Sequence, residues 1–592
     1  MVYANADNNL GPNLIGDLVE MMNASLTPEV RVVLYADFPA DRLVPGSDDT
    51  FPSGAQMIEI LGGGDLRMVS ATAEEDFDDP AVLTGAVRKV FTAFPAERRG
   101  VILWDHGGAW RYGFGGDTQD GTRDGQPMPF EAAAQAVRSG LAAARVSGNP
   151  PLEFLAFDTC LLGSPEIAAA FSDLTKVYIA GAEIDYGAGW DYDKALTWLA
   201  AHPGAPAADF ARQEVAIWDA HHGELATDVL FKSHMALDTS VLPELAAAIR
   251  TLVGAVQTSD DAVVVARAFD LSLPDYFVDN VGGGTGPVPL KDIGQILVSL
   301  AASSDARVAS AASGAKAVLG KLVLAQAGGT ARNGQSGLNV GAGPPVELTA
   351  AMSAEYRRRV TTWNGSSRWA DLIDTVRGAS DGIAPSISTA GLSGMKLPFR
   401  ISDADLFSVD FNLWSLGSDR AFLLQLVDRS YPGPGSYEFT WSGNVVALDA
   451  SPAPVLVSLV PWRDVARSGI ATTIYKVIGI LESGGDSIYA ELLIDEVTMK
   501  AEVALVYNGD LPSVIPVAAL AGPDVVFWPL FVYLDLADGS ADVTSGGTGV
   551  SVPGSTVDFT LARVGAGTYA FSLQANDTWG NQAMQFFDFS VP

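Results

Sequence analysis

One cysteine, Cys160, stands in 592 residues. That scarcity excludes a disulfide scaffold, a cysteine-based zinc site and a CxxC redox motif. Five histidines leave little for another metal cluster, and His221 and His222 are adjacent rather than spaced as a helical zinc pair. Basic residues are also few: 36 Lys and Arg against 70 Asp and Glu give a formal charge of -34. A surface this acidic repels phosphate backbones, so no nucleic-acid partner is expected. Long apolar runs are missing as well. The most apolar window, Val525 to Leu534, is about ten residues long and contains Pro529, short of the ~20 needed to span a bilayer, so no transmembrane segment is expected. The opening Met1-Val-Tyr-Ala-Asn-Ala-Asp-Asn-Asn9 lacks the basic-then-apolar pattern of a secretory leader. Nothing specifies an oligomeric state.

What is present is apolar material, 48% of the chain against 18% charged, enough for sizeable packed cores in several domains. Leu10, Leu14, Ile15, Leu18, Val19 and Met22 recur at helical spacing before the apolar run Arg31 to Ala36. The same alternation predicts helices over Pro80 to Phe94, Pro129 to Ala144, from Pro165, and over Ala207 to Ala220. Strands are predicted at Val101 to Trp104, Leu152 to Phe157, Val177 to Ala180 and near Val229 to Met235. Short apolar strands alternating with amphipathic helices indicate an α/β unit with a mostly parallel sheet flanked by helices. Further helices are expected across Pro243 to Arg377. Beyond Gly378, Gly/Ser/Pro punctuation separates alternating segments such as Leu406 to Leu413, Ala421 to Val427 and Tyr437 to Val446, which read as strands. The expected division is an α/β domain with a helical extension over 1–378, a β-rich domain over 379–510 and an immunoglobulin-like sandwich over 511–592.

In open α/β sheets, functional groups gather at the carboxyl ends of strands. Val101-Ile-Leu-Trp104 runs into Asp105-His106-Gly107-Gly108, and Leu152 to Phe157 runs into Asp158-Thr159-Cys160. If these strands are parallel neighbours, His106 and Cys160 share a rim. A thiol becomes a nucleophile when its thiolate is favoured or a base takes its proton. Ser164-Pro165-Glu166 reads as a helix start, with Ser164 as N-cap, placing a positive helix end near Cys160. His106 is then the acid/base candidate, and the N–H groups of Gly107 and Cys160 are candidates for an oxyanion hole. The bland alternative is a small buried thiol and a structural histidine.

Asp105-His106-Gly107-Gly108-Ala109-Trp110 and Asp158-Thr159-Cys160-Leu161-Leu162-Gly163-Ser164-Pro165-Glu166 resemble the two signature segments of the clostripain family of cysteine peptidases, in the clan that also holds caspases, gingipains and legumain. Tyr3 to Leu10 and Gly189-Trp190-Asp191-Tyr192 are similar to further family segments, and Ser336-Gly-Leu-Asn-Val340 more distantly so. The His-to-Cys interval is also close to the ~50 residues given for caspases. The resemblance covers about residues 1 to 375. It implies a caspase-like fold, peptide hydrolysis through a Cys160 thioester with His106 as acid/base, a protein or peptide substrate, and a secreted or cell-surface setting. It also implies a preference for Arg or Lys at P1, met by Asp158 with Asp185 or Asp191, since a carboxylate pairs bidentately with a guanidinium. Asp158 alone also reads as a strand-end cap. Ala109, Thr159 and Leu162 depart from residues common in the family.

Some members of the family use calcium and cleave themselves between the catalytic segments. No cofactor is required by the sequence, but Asp117, Asp120 and Asp124 in the polar loop Gly116 to Gly125 are calcium candidates, and Arg123 is the candidate autocleavage site. Ser313-Gly-Ala-Lys316 matches Ser-x-x-Lys but lies in an Ala-rich helix, and Gly282 to Gly286 lacks the Lys of a phosphate loop. The competing function is a non-catalytic surface or carbohydrate-binding protein on a peptidase-like scaffold.

Overall fold

The run Val32 to Phe38 has no polar face, and all seven residues are buried, which marks an interior strand covered on both sides. It belongs to a nine-stranded sheet whose strands, in chain order, are β1 Val2–Asn5, β2 Val32–Phe38, β3 Gly54–Gly62, β4 Asp65–Ala71, β5 Gly100–Trp104, β6 Leu152–Asp158, β7 Thr175–Gly181, β8 Ser233–Asp238 and β9 Val323–Gly328. The spatial order is β9-β8-β7-β6-β5-β1-β2-β3-β4. The computed structural model describes residues 1–592 apart from 39–41, 44–49, 52, 119–126, 186–188, 224–230, 260–264, 266–267, 270–288, 344, 346–347, 379–382, 390, 404–405, 431–434, 465–472, 496, 509–510 and 578.

The five central strands, β2-β1-β5-β6-β7, are parallel. Both edges are antiparallel, with β3 and β4 on one side and β8 and β9 on the other, so the expected mostly parallel sheet is a mixed one. The β3–β4 hairpin escaped the periodicity because β4 is largely solvent-facing and carries no apolar run. It turns through Gly62-Gly63-Gly64, all at positive φ, where glycine alone is unstrained. The strand expected near Val229 to Met235 begins at Ser233, residues 224–230 lying outside the described residues. The stretch expected to be helical from Pro243 is so over Leu242–Val256, Ile293–Ala301, Ala306–Leu322, Ala350–Arg359, Thr361–Ser367 and Trp369–Gly378, but it also supplies the edge strand β9 and the short strand Asn339–Gly341.

Helices Pro80–Ala93, Phe130–Ala143, Pro165–Phe171 and Ala207–His221 fall where the spacing places them. The first two pack closely because Gly140 has no side chain: a Cβ there would lie 2.6 Å from Val87 Cβ. Thr239–Val256 is the one stretch among the described residues long and apolar enough to cross a membrane. Leu242, Leu245, Ala246, Ile249, Leu252, Val253 and Val256 are buried, the i, i+3, i+4, i+7 stripe of a core helix. Ser313 and Lys316 lie on the exposed side of Ala306–Leu322, a helix surface as expected.

The described chain divides into Met1–Gly343 with Leu348–Val376, and a second unit built on Arg377–Pro592. The second unit is β-rich. Leu406–Leu416 pairs with Arg420–Ser430 on one side and with Gly567–Asp577 on the other, and Lys500–Asn508 pairs with both Asp486–Asp495 and Val557–Arg563. Strands from both sides of position 510 therefore share one sheet. The separate sandwich expected over 511–592 is corrected accordingly, because edges that an independent domain must protect are hydrogen-bonded across the expected boundary. Apolar alternation buries Phe399, Phe411, Phe439, Trp441 and Phe571 in one cluster and Val477, Leu492, Ala504, Phe527 and Phe559 in another.

Candidate active site

Because β5 and β6 are adjacent and parallel, with Trp104 level with Asp158, the segments Asp105 to Gly108 and Thr159 to Gly163 leave the sheet side by side at its carboxyl rim. Their contact is tight. A Cβ on Gly107 would lie 1.9 Å from the Cys160 carbonyl oxygen and 2.9 Å from Thr159 Oγ1, so only glycine fits there. Gly107 faces Phe114 as an isolated antiparallel bridge whose hydrogen bonds come from the flanking residues, Gly108 N to Gly113 O and Gly115 N to His106 O. In such a pair the central residue's own N–H points away from its partner strand.

The strand β1 lies between β2 and β5, and the segment after it reaches the same rim. Asn9 Oδ1 lies 2.8 Å from His106 Nε2. An amide oxygen only accepts, so Nε2 carries the proton and the neutral ring keeps Nδ1 as its basic nitrogen. Asp105 does not touch the ring: its Oδ1 accepts from the His106 N–H at 2.6 Å and from Asn8 Nδ2 at 2.8 Å, fixing the backbone that carries the ring.

Ser164 caps the helix Pro165–Phe171, accepting from the Glu166 N–H at 3.1 Å. Cys160 is half-buried as a residue, and the backbone N–H groups of Asp185 and of Cys160 itself favour its thiolate. Burial outweighs them, joined by the charges of Asp185 and Asp158, and pushes the thiol up to about 12. Burial likewise lowers His106 to about 4. Cys160 therefore rests as a neutral thiol and His106 as a neutral imidazole, so burial outweighs the help to the thiolate that the helix start suggested. Backbone strain marks both loops: Ala109 and Leu161 hold φ +53 and +62. Ala109 is the departure noted above, and its left-handed backbone is the reason glycine suits that position.

Asp158 closes β6 and is buried. Its Oδ2 accepts from Tyr192 Oη at 2.8 Å and from the Trp190 N–H at 3.4 Å, so it binds across to another segment rather than capping its own strand. Burial, then the charge of Asp185, raise it to about 8. Asp185 and Asp158 both bear electrostatically on the Cys160 thiol. Asp17, on helix Gly11–Asn23, is buried near Asp158: its Oδ2 accepts from Trp104 Nε1 at 2.7 Å, and burial followed by the charge of Asp158 pushes it well up. Asp191 plays a different part. It caps helix Tyr192–Ala201, taking the Lys194 N–H at 3.0 Å and Lys194 Nζ at 2.5 Å.

The sequence model of the clostripain family matches residues 2–334. The chain belongs to the clostripain family. Clostripain from Hathewaya histolytica is 24% identical over 231 residues, covering 34% of this chain and 42% of that protein, so the chain spans about two fifths of its relative's length. Among solved structures, a secreted C11 cysteine protease from Bacteroides thetaiotaomicron bound to an irreversible peptide inhibitor is 18% identical, covering 62% of this chain and 98% of that one at a TM-score of 0.46. An inactive zymogen C11 protease from Parabacteroides distasonis is 18% identical, with 62% and 96% coverage and a TM-score of 0.44.

Of the calcium candidates in this clostripain-family chain, Asp117 is placed, while Asp120, Asp124 and the cleavage candidate Arg123 lie outside the described residues. Asp117 gathers with Asp7, Asp37 and Glu74, one carboxylate oxygen of each within 4.8 Å of the others. Around a calcium ion with bonds of roughly 2.3–2.6 Å, opposite oxygens stand about 5 Å apart, so the set fits a hard cation. Asp37 is fully buried, neither of its oxygens meets a hydrogen-bond donor, and burial with the neighbouring Glu74 pushes it to about 10. Asn9 and Asp17 carried no signal of their own in the sequence. The strand order alone brings Asn9 onto the rim, and Asp17 lies on a helix whose apolar stripe gives no reason to single out one acid.

Proposed function

We propose that this chain is a cysteine endopeptidase that cleaves after arginine or lysine. The observation that supports it most directly is the packing of Gly107 on the Cys160 backbone, with His106 oriented by Asn9 so that Nδ1 is its basic nitrogen. In the reaction, Nδ1 takes the thiol proton as sulfur attacks the scissile carbonyl carbon. The oxyanion faces the Gly107 and Cys160 N–H groups. Collapse breaks the C–N bond, the imidazolium returns its proton to the leaving amine, and a thioester remains on Cys160. Water, losing its proton to His106, hydrolyses the thioester and frees the thiol. Asp158 and Asp185 form the acidic wall for the P1 side chain, with Asp17 behind Asp158 and Tyr192 orienting it. Asp191, already capping a helix against Lys194, supports this wall from outside. A secreted or cell-surface setting accords with the family.

The test is hydrolysis of a fluorogenic peptide library by the purified chain under reducing conditions, with labelling of Cys160 by an arginyl acyloxymethyl ketone. The expected result is cleavage confined to Arg and Lys at P1. Inactivity together with an unlabelled Cys160 would instead support a non-catalytic binding protein on a peptidase scaffold.

The quartet Asp7, Asp37, Glu74 and Asp117 is proposed as a calcium site. A bound calcium ion would supply positive charge to offset four crowded carboxylates, and the residues named would hold it. Gly115 N–H donates to His106 O two residues before Asp117, so the quartet is tied to the histidine loop. Calcium at a hundred times its dissociation constant is expected to stabilise the protein by about 2.7 kcal/mol. Asp37→Asn should remove that gain while leaving the calcium-free protein close to wild type in stability, because Asp37, raised to about 10, carries no charge there without the ion. Differential scanning calorimetry with calcium and with EGTA reads both, and an unchanged melting temperature on adding calcium to wild type defeats the proposal.

A further inference from the structure

The chain on either side of the thiol is held by a residue far along the sequence. Leu161 sits in the left-handed region that leucine disfavours, and something must hold it there. On one face the segment after Cys160 bonds directly to the segment after β7: Leu161 N–H donates to Glu183 O at 3.0 Å and Gly163 N–H to Gly181 O at 2.6 Å. On the other face the two segments meet a single buried side chain. Asn339 Nδ2 donates to Leu161 O at 2.8 Å and to Ala182 O at 3.0 Å, and its backbone N–H donates to Gly163 O at 2.9 Å. An amide NH2 carries two donors in a fixed fork, and both reach carbonyls, one from each segment.

The strand that carries Asn339 is tied to the rest of the site as well. Gly341 N–H donates to Glu166 Oε1 at 2.9 Å, on the helix that follows the cysteine, and Tyr356 Oη donates to the same oxygen at 2.5 Å. A Cβ on Gly341 would lie 2.9 Å from Trp110 Nε1, in the short helix that follows His106. The strand Asn339–Gly341 thus touches the elements that carry both members of the dyad. Ala182, bridged by Asn339, lies three residues before Asp185, whose backbone N–H favours the Cys160 thiolate.

We propose that Asn339 is the positioning residue of the nucleophile loop: its amide holds the Leu161 and Ala182 carbonyls together and so keeps the thiol in line with His106. It touches no substrate and acts through the backbone on either side of the thiol. The role rests on the reading of Cys160 as the nucleophile.

The test compares wild type with Asn339→Ala, both corrected for folded, titratable sites. Asn339→Ala is expected to lose about 10- to 100-fold in kcat with KM for an arginyl peptide little changed, the cost of misplacing a reacting group. The pH profile for alkylation of Cys160 by iodoacetamide should shift as the thiol moves relative to the charges and backbone dipoles around it. A residue that only supports the fold would lower the melting temperature and leave kcat per folded molecule and the alkylation profile where they were, and that result overturns the proposal. If Asn339→Ala does not fold, Asn339→Ser, which keeps one donor, is read by the same two measurements. Asn339→Asp, isosteric but without donors when ionised, should be at least as impaired as the alanine variant. A wild type that neither cleaves peptides nor takes label at Cys160 overturns the nucleophile reading and this role with it. An active, labelled wild type matched by Asn339→Ala overturns the role of Asn339 alone.

Discussion

Cys160→Ala is expected to lower peptide hydrolysis by about a millionfold, the loss typical of removing a nucleophile that works as a unit with its base. The chain has no second thiol to take over, and the neighbouring Thr159 hydroxyl is engaged with the Cys160 carbonyl. Because Cys160 is partly exposed, the alanine variant should melt close to wild type, so lost activity is not lost fold. His106→Ala should cost nearly as much activity, because the nucleophile and its base act as a unit. The resting state adds a sharper expectation. With the thiol pushed up to about 12 and the imidazole down to about 4, alkylation of Cys160 by neutral iodoacetamide should keep rising with pH through 7 to 9. A plateau near neutrality would mean a standing thiolate–imidazolium pair and contradict the neutral one described above. Full activity in Cys160→Ala would end the cysteine mechanism outright.

Asp158→Asn is expected to depress kcat/KM for arginyl substrates by roughly 30- to 5,000-fold, equivalent to about 2–5 kcal/mol for breaking one side of a buried charge pair. Labelling of Cys160 by a small haloacetamide should be unchanged or faster, because Asp158 is one of the charges that raise the thiol. Equal losses in both assays would instead show general disruption of the rim. The same residue sets a pH dependence. Its pKa, raised to about 8, leaves the carboxyl protonated below that pH until a cation enters. KM for arginyl peptides should therefore fall as pH rises towards 8, while KM for peptides neutral at P1 stays level. Stability moves the other way. The folded state holds a proton on Asp158 that the unfolded chain, titrating near 3.9, has released, so stability declines as pH rises from about 4 to about 8. Asp158→Asn removes that penalty and should melt above wild type at pH 8, with the difference shrinking at pH 5.

The placing of His106 and Cys160 on one rim was legible because its signal is local. His106 and Cys160 each follow a short apolar run, and a parallel sheet puts consecutive strand ends on one rim, so the chain order of the strands was enough to pair them. The helix start at Ser164 was legible for the same reason. Its expected effect on the thiol was not realised, since burial and two nearby carboxylates act on the sulfur more strongly than one short helix. Asp158, Asp185 and Asp191 were named through motif resemblance, yet only hydrogen bonding separates Asp158, bound across to Tyr192, from Asp191, which caps a helix. The β3–β4 hairpin and the shared sheet of the second unit were not legible: partly exposed antiparallel strands carry weak periodicity, and strand pairing across 150 residues leaves no local trace.

The sequence by itself determined the chemistry available: one thiol, a histidine beside glycines, an excess of acids, and strands and helices in an order that brings the first two together. Tertiary structure decided the protonation and geometry of that chemistry. Desolvation is set by what packs around a group, so the neutral resting dyad and the proton held on Asp158 depend on neighbours from several elements. Orientation likewise comes from distant chain. Asn9 reaches His106 from the end of β1, and Asn339 reaches the nucleophile loop from 179 residues beyond Cys160.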